Sequence, residues 1–278
     1  MTVLLSLVAA AFYGLSDFLG GVASRRTSVW PVGLLACVGA TLGAVVIASF
    51  TDGSPDGGDV AWALLAGTGS GTGTAFLYRG FASGRMGVVA PVSAVGAVLV
   101  PLLAGVIGGE RPAPLGWTGI VLALPGIWFV SREDSAGSTA DSGSTGLLDG
   151  VLAGVGFGVL FAALGQVPEE AGYWPLVGTQ IVSVVSLALL AVILGGDPRP
   201  RVRADLWGLA AGVLASLAVL FFLLATNQGL LSIAAVITSL YPAFTVLLAV
   251  AVLREHVHRS QAVGLVLCAA AVTLISVA

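Results

Sequence analysis

The chain has 278 residues, of which 57% are apolar and only 9% are charged, and its net charge is −3. Soluble proteins carry about 25% charged residues, so this composition excludes a soluble globular enzyme and a disordered chain. The acidic net charge leaves no basic surface for nucleic acid. We expect an all-α integral membrane protein. A transmembrane helix needs about 20 apolar residues, and with short loops the chain has room for about ten helices.

Apolar runs separated by polar residues predict ten transmembrane helices. The runs do not alternate in polarity, which favours helices over the strands of a membrane barrel. The first run lacks a basic leader and is long enough to span, so it predicts a helix rather than a cleaved signal peptide. In chain order the predicted segments are 2–23, 30–50, 60–79, 88–108, 115–131, 147–165, 173–194, 204–226, 231–253 and 260–278.

Arginine is distributed unevenly between the two sides of the predicted bundle. The side of the N-terminus carries mostly Asp and Glu, and we call it the acidic end. The positive-inside rule predicts that the opposite, Arg-rich end is cytoplasmic, with both termini outside the cell (inner) membrane. Ten arginines fall at the Arg-rich end: Arg25, Arg26, Arg79, Arg85, Arg132, Arg199, Arg201, Arg203, Arg254 and Arg259.

The chain divides into two similar halves. A polar stretch, 132–146, predicts a cytoplasmic linker between five-helix repeats at 1–131 and 147–278. The halves match at an offset of 144–145 residues, where Trp30-Pro31 pairs with Trp174-Pro175 and Trp62 with Trp207. An odd number of crossings inserts the second copy upside down. We therefore expect inverted repeats that enclose a solute site near mid-membrane.

Several motifs resemble the EamA-type ten-helix members of the drug/metabolite transporter superfamily. The stretch 13–20 is similar to the pattern that opens such repeats, and 78–91 is similar to the link between helices three and four. Gly109-Glu110-Arg111 resembles the turn after helix four, whereas Arg254-Glu255-His256 departs from it in the second copy. The resemblance implies a transporter of small organic solutes, with a cavity lined mainly by helices 1–4 and 6–9. It leaves the substrate open.

Asp17 is the only acidic residue well inside a predicted span. A carboxylate at the bilayer centre costs about 2.5–3.5 kcal/mol on insertion scales, so it normally faces a cavity or a partner. Three interpretations stay open at this point. Asp17 couples transport to protons or binds a substrate amine, it forms a structural pair with Arg79, or it lies at the lipid interface. Tyr13 and Ser16 flank it, and Tyr13 shares its helix face.

Other side chains complete the predicted site. Arg79 either recognises a substrate carboxylate or acts as a cytoplasmic anchor. Helix-breaking prolines are either hinges or simple kinks, and Pro242 would free the carbonyl of Thr238. The further candidates for substrate binding are Tyr78, Ser93, Gln180 and Tyr241, and the candidate hinges are Pro91, Pro101 and Pro242.

The predicted function is secondary transport of a small organic metabolite or drug by alternating access, with proton-linked export favoured. Uptake or facilitated exchange of a sugar or another nutrient is the alternative, and a non-transporting receptor, an assembly protein or a membrane enzyme are further ones. No cofactor or metal is expected, because Cys37 and Cys268 lie in separate apolar runs and His256 and His258 cannot face one site on a helix. The expected partners are the solute, the lipid bilayer and protons, in a monomer or homodimer.

Overall fold

The computed structural model describes residues 1–24, 26–82, 86–131, 143–254 and 257–278, which form helices and contain no strand. Most of the predicted linker, from 132 to 142, lies outside these residues, as do Arg25, Arg85, Glu255 and His256. The helices are α1 (Thr2–Ser24), α2 (Val29–Ser49), α3 (Gly57–Ala82), α4 (Met86–Ile107), α5 (Pro114–Ser131), α6 (Gly143–Leu164), α7 (Trp174–Ile193), α8 (Trp207–Thr226), α9 (Leu231–Thr238), α10 (Tyr241–Leu248) and α11 (Arg259–Ser276).

Within the described residues, eight helical segments are long and apolar enough to cross a membrane, and Val92–Ile107 is a shorter apolar helix. α3 is not among these eight segments, because its many glycine and threonine residues lower its hydropathy. Large apolar side chains such as Leu42, Val46 and Val266 face outward and are exposed. In a soluble protein such a surface would be a liability, whereas here it faces lipid. The chain is a multi-pass membrane protein.

The ninth predicted segment, 231–253, is interrupted beside Pro242. α9 ends at Thr238, and α10 begins at Tyr241 with Pro242 in its first turn. Proline, which has no backbone N–H, is tolerated in the first turn because the N–H groups of that turn have no partner within the helix. A π-helical turn, Ala249–Leu253, extends α10. The interruption thus breaks the α-helix in the middle of this span.

The other two predicted hinges differ from Pro242. α4 is assigned as one unbroken helix through Pro101, so no interruption marks a hinge there. The backbone of Pro91 also lies within α4, and its side chain lies outside the described residues.

The most extensive helix contacts join the first half of the chain to the second. α1 packs against α8, α9 and α10, while α2 packs against α7 and α8. α3 packs against α6 and α7, α4 against α6 and α9, and α5 mainly against α11. Small residues permit this packing, since a Cβ on Gly96 would lie 2.7 Å from the Cα of Gly154. The fold is therefore held together between its halves.

Two carboxylates tie the halves together at opposite ends of the bundle, and neither role was predicted. At the acidic end, Glu110 accepts hydrogen bonds from the backbone N–H of Leu231 (2.6 Å) and of Ser232 (3.0 Å). It thus caps the N-terminus of α9, where negative charge is stabilising. At the Arg-rich end, Thr27 Oγ1 donates to the carboxylate of Asp205 (2.6 Å). This second contact joins the α1–α2 and α7–α8 connections.

Candidate functional site

A cavity of about 390 Å³ lies at the Arg-rich end, between the two halves. Its wall is built from the last turns of α1 and α3, the first turns of α2 and α4, the end of α5, the start of α8, α10 with its π-helical turn, and the start of α11. Both halves of the chain contribute, as expected for a solute site between repeats. The volume lies near the lower end of the roughly 300–1,000 Å³ of small-molecule pockets.

Asp17 forms part of the cavity wall, and its side chain is exposed to the cavity. Within the described residues no side chain or backbone group forms a hydrogen bond or ion pair with it. A carboxylate in a membrane span that has no protein partner must be satisfied by water, a proton or a solute. The geometry thus leaves Asp17 available for ligand chemistry.

Three of the four tyrosines of the chain surround Asp17. Tyr78 and Tyr241 line the cavity. Tyr13 lies behind Tyr241, with its ring centroid 5.9 Å from that of Tyr241. Asp17 lines the same cavity as Tyr78 and Tyr241. The predicted tyrosines therefore converge on the predicted acid.

Local structure explains why the three rings meet. Tyr13 precedes Asp17 by one helical turn and shares its face of α1. Tyr241 is the first residue of α10, so the interruption of the ninth segment positions it. Gly33 of α2 makes room for Tyr78, since a Cβ at this position would overlap the Tyr78 ring. The helical turn thus places Tyr13, the break before α10 places Tyr241, and a glycine leaves space for Tyr78.

The two predicted serines line the cavity, but both hydroxyl protons are used within the protein. Ser16 Oγ donates to the carbonyl of Ala211 (2.8 Å), which ties α1 to α8. Ser93 Oγ donates to the carbonyl of Ala90 in its own helix (3.0 Å). Neither serine offers a free donor to a solute. Pro242 also lines the cavity.

Arg79 has a partner that was not predicted. Its Nε donates to Asp149 Oδ1 of α6 (2.8 Å), and its NH2 group forms an ion pair with the same oxygen. The guanidinium carbon lies 4.7 Å from the ring centroid of Phe76. Of the three interpretations of Asp17, the structural pair with Arg79 is wrong, because Asp149 neutralises Arg79 across the α3–α6 interface. Arg79 does not line the cavity, so it is not placed to recognise a substrate carboxylate there.

The Arg79–Asp149 pair predicts a non-additive loss of stability. The Asp149 side chain is only 4% exposed, so Arg79→Leu leaves a buried carboxylate without its cation and should cost about 3 kcal/mol. Replacing both residues with leucine should restore most of that loss, since no buried charge remains. Thermal unfolding of the purified single and double variants measures the coupling. Additive losses in the double variant would contradict the interpretation.

Gln180 does not lie at the site. It is buried in α7 and does not line the cavity. Its neighbours bind α3, since Thr179 Oγ1 donates to the carbonyl of Ala63 (3.1 Å) and Ser183 Oγ donates to Ser70 Oγ (3.0 Å). This part of α7 therefore packs against α3 of the other half.

A second cavity, of about 310 Å³, lies at the acidic end and was not predicted. Asp52 and Glu169 contribute acidic groups to its wall, and Tyr173 and Leu223 contribute the start of α7 and the last turn of α8. The molecule thus has a cavity towards each end of the bundle.

A row of four aromatic rings runs from one cavity towards the other. Tyr241 lines the cavity at the Arg-rich end and contacts Tyr13, whose ring meets Phe161 edge-on at 5.9 Å between centroids. Phe161 packs on Phe222 at 4.9 Å, and the next residue, Leu223, lines the acidic-end cavity. We call Tyr13, Phe161, Phe222 and Tyr241 the aromatic barrier. Phe161 and Phe222 are buried, so the barrier is tightly packed.

Comparison with known proteins identifies the family. The model of the EamA-like transporter family matches residues 1–132 and 144–277. A solved structure described only as the crystal structure of a protein has the same fold, with a TM-score of 0.75 at 18% identity over 99% of this chain and 96% of that chain. No curated protein matches the sequence. Because the family model covers nearly the whole chain, the protein belongs to the EamA-like transporter family of the drug/metabolite transporter superfamily, whose members are membrane transporters rather than enzymes.

Proposed function

We propose that this protein is a secondary transporter that exports a small organic metabolite or drug across the inner membrane by alternating access, in exchange for protons. The observation that carries the proposal is Asp17, a carboxylate without a described protein partner in the wall of a cavity that both halves enclose. The proposed solute site consists of Asp17 with Tyr13, Tyr78 and Tyr241 around it.

Asp17 provides the coupling chemistry. A carboxylate in a low-dielectric span is stable when it is protonated or when a solute group satisfies it. A proton and a solute group that bind the same oxygen atoms exclude each other, so binding of either one favours release of the other. If the site meets the cytoplasm in one state and the outside in the other, the inward proton gradient drives the solute outward.

Alternating access requires related halves, and we propose inverted repeats at 1–131 and 147–278. The contact pattern supports this. In such repeats, α1 to α5 correspond in order to α6, α7, α8, α9–α10 and α11. When each helix is replaced by its equivalent, every major contact between the halves becomes another contact that is present. The α1–α8 contact corresponds to the α6–α3 contact, and the α2–α8 contact corresponds to the α7–α3 contact.

Individual residues follow the same exchange. A Cβ on Gly119 would lie 2.9 Å from the carbonyl oxygen of Ala271, and a Cβ on Gly264 would lie 2.9 Å from that of Gly126. Gly119 and Gly264 are 145 residues apart in the sequence, and so are Gly126 and Ala271. The same offset relates Gly109 and Arg254, which both have positive φ, 101° and 58°. For arginine this conformation is unfavourable, so its presence supports a turn retained from a common repeat.

The two cavities support the two access routes. Val29 and Tyr78 line the cavity at the Arg-rich end, and their repeat equivalents, Tyr173 and Leu223, line the cavity at the acidic end. With the Arg-rich end in the cytoplasm, the larger cavity faces inward and the aromatic barrier closes the outward route. We propose that the structure is the inward-facing state and that Pro242 and its helix break form the hinge of the rearrangement.

Reconstitution tests the proposed function. Purified protein is placed in liposomes that contain a pH-sensitive dye, and fractions of a cytoplasmic metabolite extract are added under an imposed pH gradient. The proposal expects at least one fraction to move protons only when the protein is present, together with uptake of a compound identified by mass spectrometry. Solute movement without proton movement would indicate facilitated exchange. Absence of any solute movement would indicate a receptor or assembly protein and would overturn the proposal.

A further inference from the structure

We infer that the solute is an organic cation, an amine or a quaternary ammonium compound, held by the Asp17 carboxylate and by the ring faces of Tyr78 and Tyr241. The inference rests on the proposed function, because it assigns a substrate class to the same cavity. It is carried by the charge, the aromatic content and the remaining polarity of the cavity wall.

The charge of the wall favours a cation. Among the described lining residues, Asp17 is the only acidic one and none is Arg or His. The nearby cation Arg79 is neutralised by Asp149 and lies outside the wall. An anionic solute would meet an uncompensated carboxylate, whereas one positive charge balances it.

The aromatic groups favour the same class. A cation is attracted to the face of a tyrosine ring when it lies within about 6 Å of the ring centroid. Tyr78 and Tyr241 enter the wall from α3 and α10, helices of different halves, and line the same cavity as Asp17. A positive group bound to the carboxylate therefore lies beside two rings. Tyr13 supports Tyr241 from behind at 5.9 Å.

The rest of the wall disfavours a sugar or another polyhydroxyl solute. The hydroxyl protons of Ser16 and Ser93 are bound to backbone carbonyls. Val246, Val250 and Leu253 add apolar side chains to the wall. Ser131, Thr245 and Gln261 complete the polar part of the wall, and apolar side chains outnumber these polar ones. Alkyl or aryl substituents on a nitrogen cation match such a surface.

Binding of chosen probes tests the inference. The probes are choline, benzyltrimethylammonium and the uncharged isostere of choline in which carbon replaces nitrogen. Isothermal titration calorimetry with the purified protein at alkaline pH should show benzyltrimethylammonium binding, with choline weaker because it has less apolar surface. The isostere should bind at least about tenfold more weakly than choline, since it has lost both the ion pair and the cation–π attraction. Equal binding of choline and its isostere, or no binding of either cation, would overturn the inference.

Variants separate recognition from folding. Tyr78→Phe and Tyr241→Phe keep the ring faces and should bind benzyltrimethylammonium within about threefold of wild type, whereas Tyr78→Leu and Tyr241→Leu should each bind about tenfold more weakly. Trp207→Leu, at an exposed position on α8, is the control and should bind normally. Leucine variants that bind like their phenylalanine counterparts would contradict the role of the rings.

The inference and the proposed function fail in different ways. If proteoliposomes exchange a neutral or anionic metabolite for protons and the cations do not bind, the substrate class is wrong and the transporter assignment stands. If the cations bind but no solute crosses the bilayer in either direction, the recognition is right and the transporter assignment falls.

Discussion

Asp17→Asn is expected to abolish solute-driven proton movement in proteoliposomes while leaving the protein folded. Asparagine has the shape of aspartate but cannot ionise, so it neither takes up a proton nor balances a positive solute. The loss of a hydrogen bond or ion pair to a charged group is worth about 1.5–3 kcal/mol, which corresponds to a roughly 10–150-fold weaker affinity. Proton flux and solute binding are both measured on the same preparation.

Stability provides the control for this variant. Because Asp17 has no partner among the described residues, removing its charge should leave the melting temperature unchanged or raise it. Asp17→Glu keeps an ionisable group and should retain part of the coupled flux. A folded Asp17→Asn protein with wild-type flux and wild-type pH dependence would contradict the role of Asp17.

Phe161→Ala is expected to open a leak between the two cavities. Phe161 is buried in the centre of the aromatic barrier and contacts both Tyr13 and Phe222. Its truncation should cost about 3–5 kcal/mol of stability and leave a void beside both access routes. Efflux of a trapped small solute from proteoliposomes should then become faster and independent of the pH gradient.

A matched truncation distinguishes the leak from general destabilisation. Ile127→Ala removes a fully buried side chain of α5, in a hydrophobic cluster that contains none of the four barrier residues. It should also lower the free energy of unfolding by about 2–5 kcal/mol and reduce the melting temperature, but the liposomes should not leak. If both variants leak equally, the aromatic barrier has no special role.

Much of the site could be predicted because membrane burial makes rare residues informative. The cost of a charge in the bilayer singles out Asp17, and helical periodicity places Tyr13 on its face. Proline chemistry marks the interruption near Pro242. The convergence of Tyr78 and Tyr241 on Asp17 depends on which helices meet, which no local pattern specifies.

Three features that the sequence did not predict share one physical cause. Asp17 and Asp149 both lie in predicted spans, and only the packing of α3 against α6 makes Asp149 the partner of Arg79. Gln180 is polar within a span, but its helix face turns to the inter-half contact instead of the cavity. Glu110 was read as part of a loop motif, although its carboxylate reaches across to the first N–H groups of α9. Each depends on tertiary contacts between distant segments.

Distance measurements at both ends of the bundle test the proposed rearrangement most directly. Spin labels on cysteines introduced at the exposed positions Arg26 and Arg259 report on the Arg-rich end, and labels at Asp52 and Gln228 report on the acidic end. Pulsed electron resonance is recorded at acidic and alkaline pH, in wild type and in Asp17→Asn. We expect one distance to shorten as the other lengthens, and no response to pH in Asp17→Asn. Two distances that change together, or that do not change at all, would contradict alternating access about a shared site.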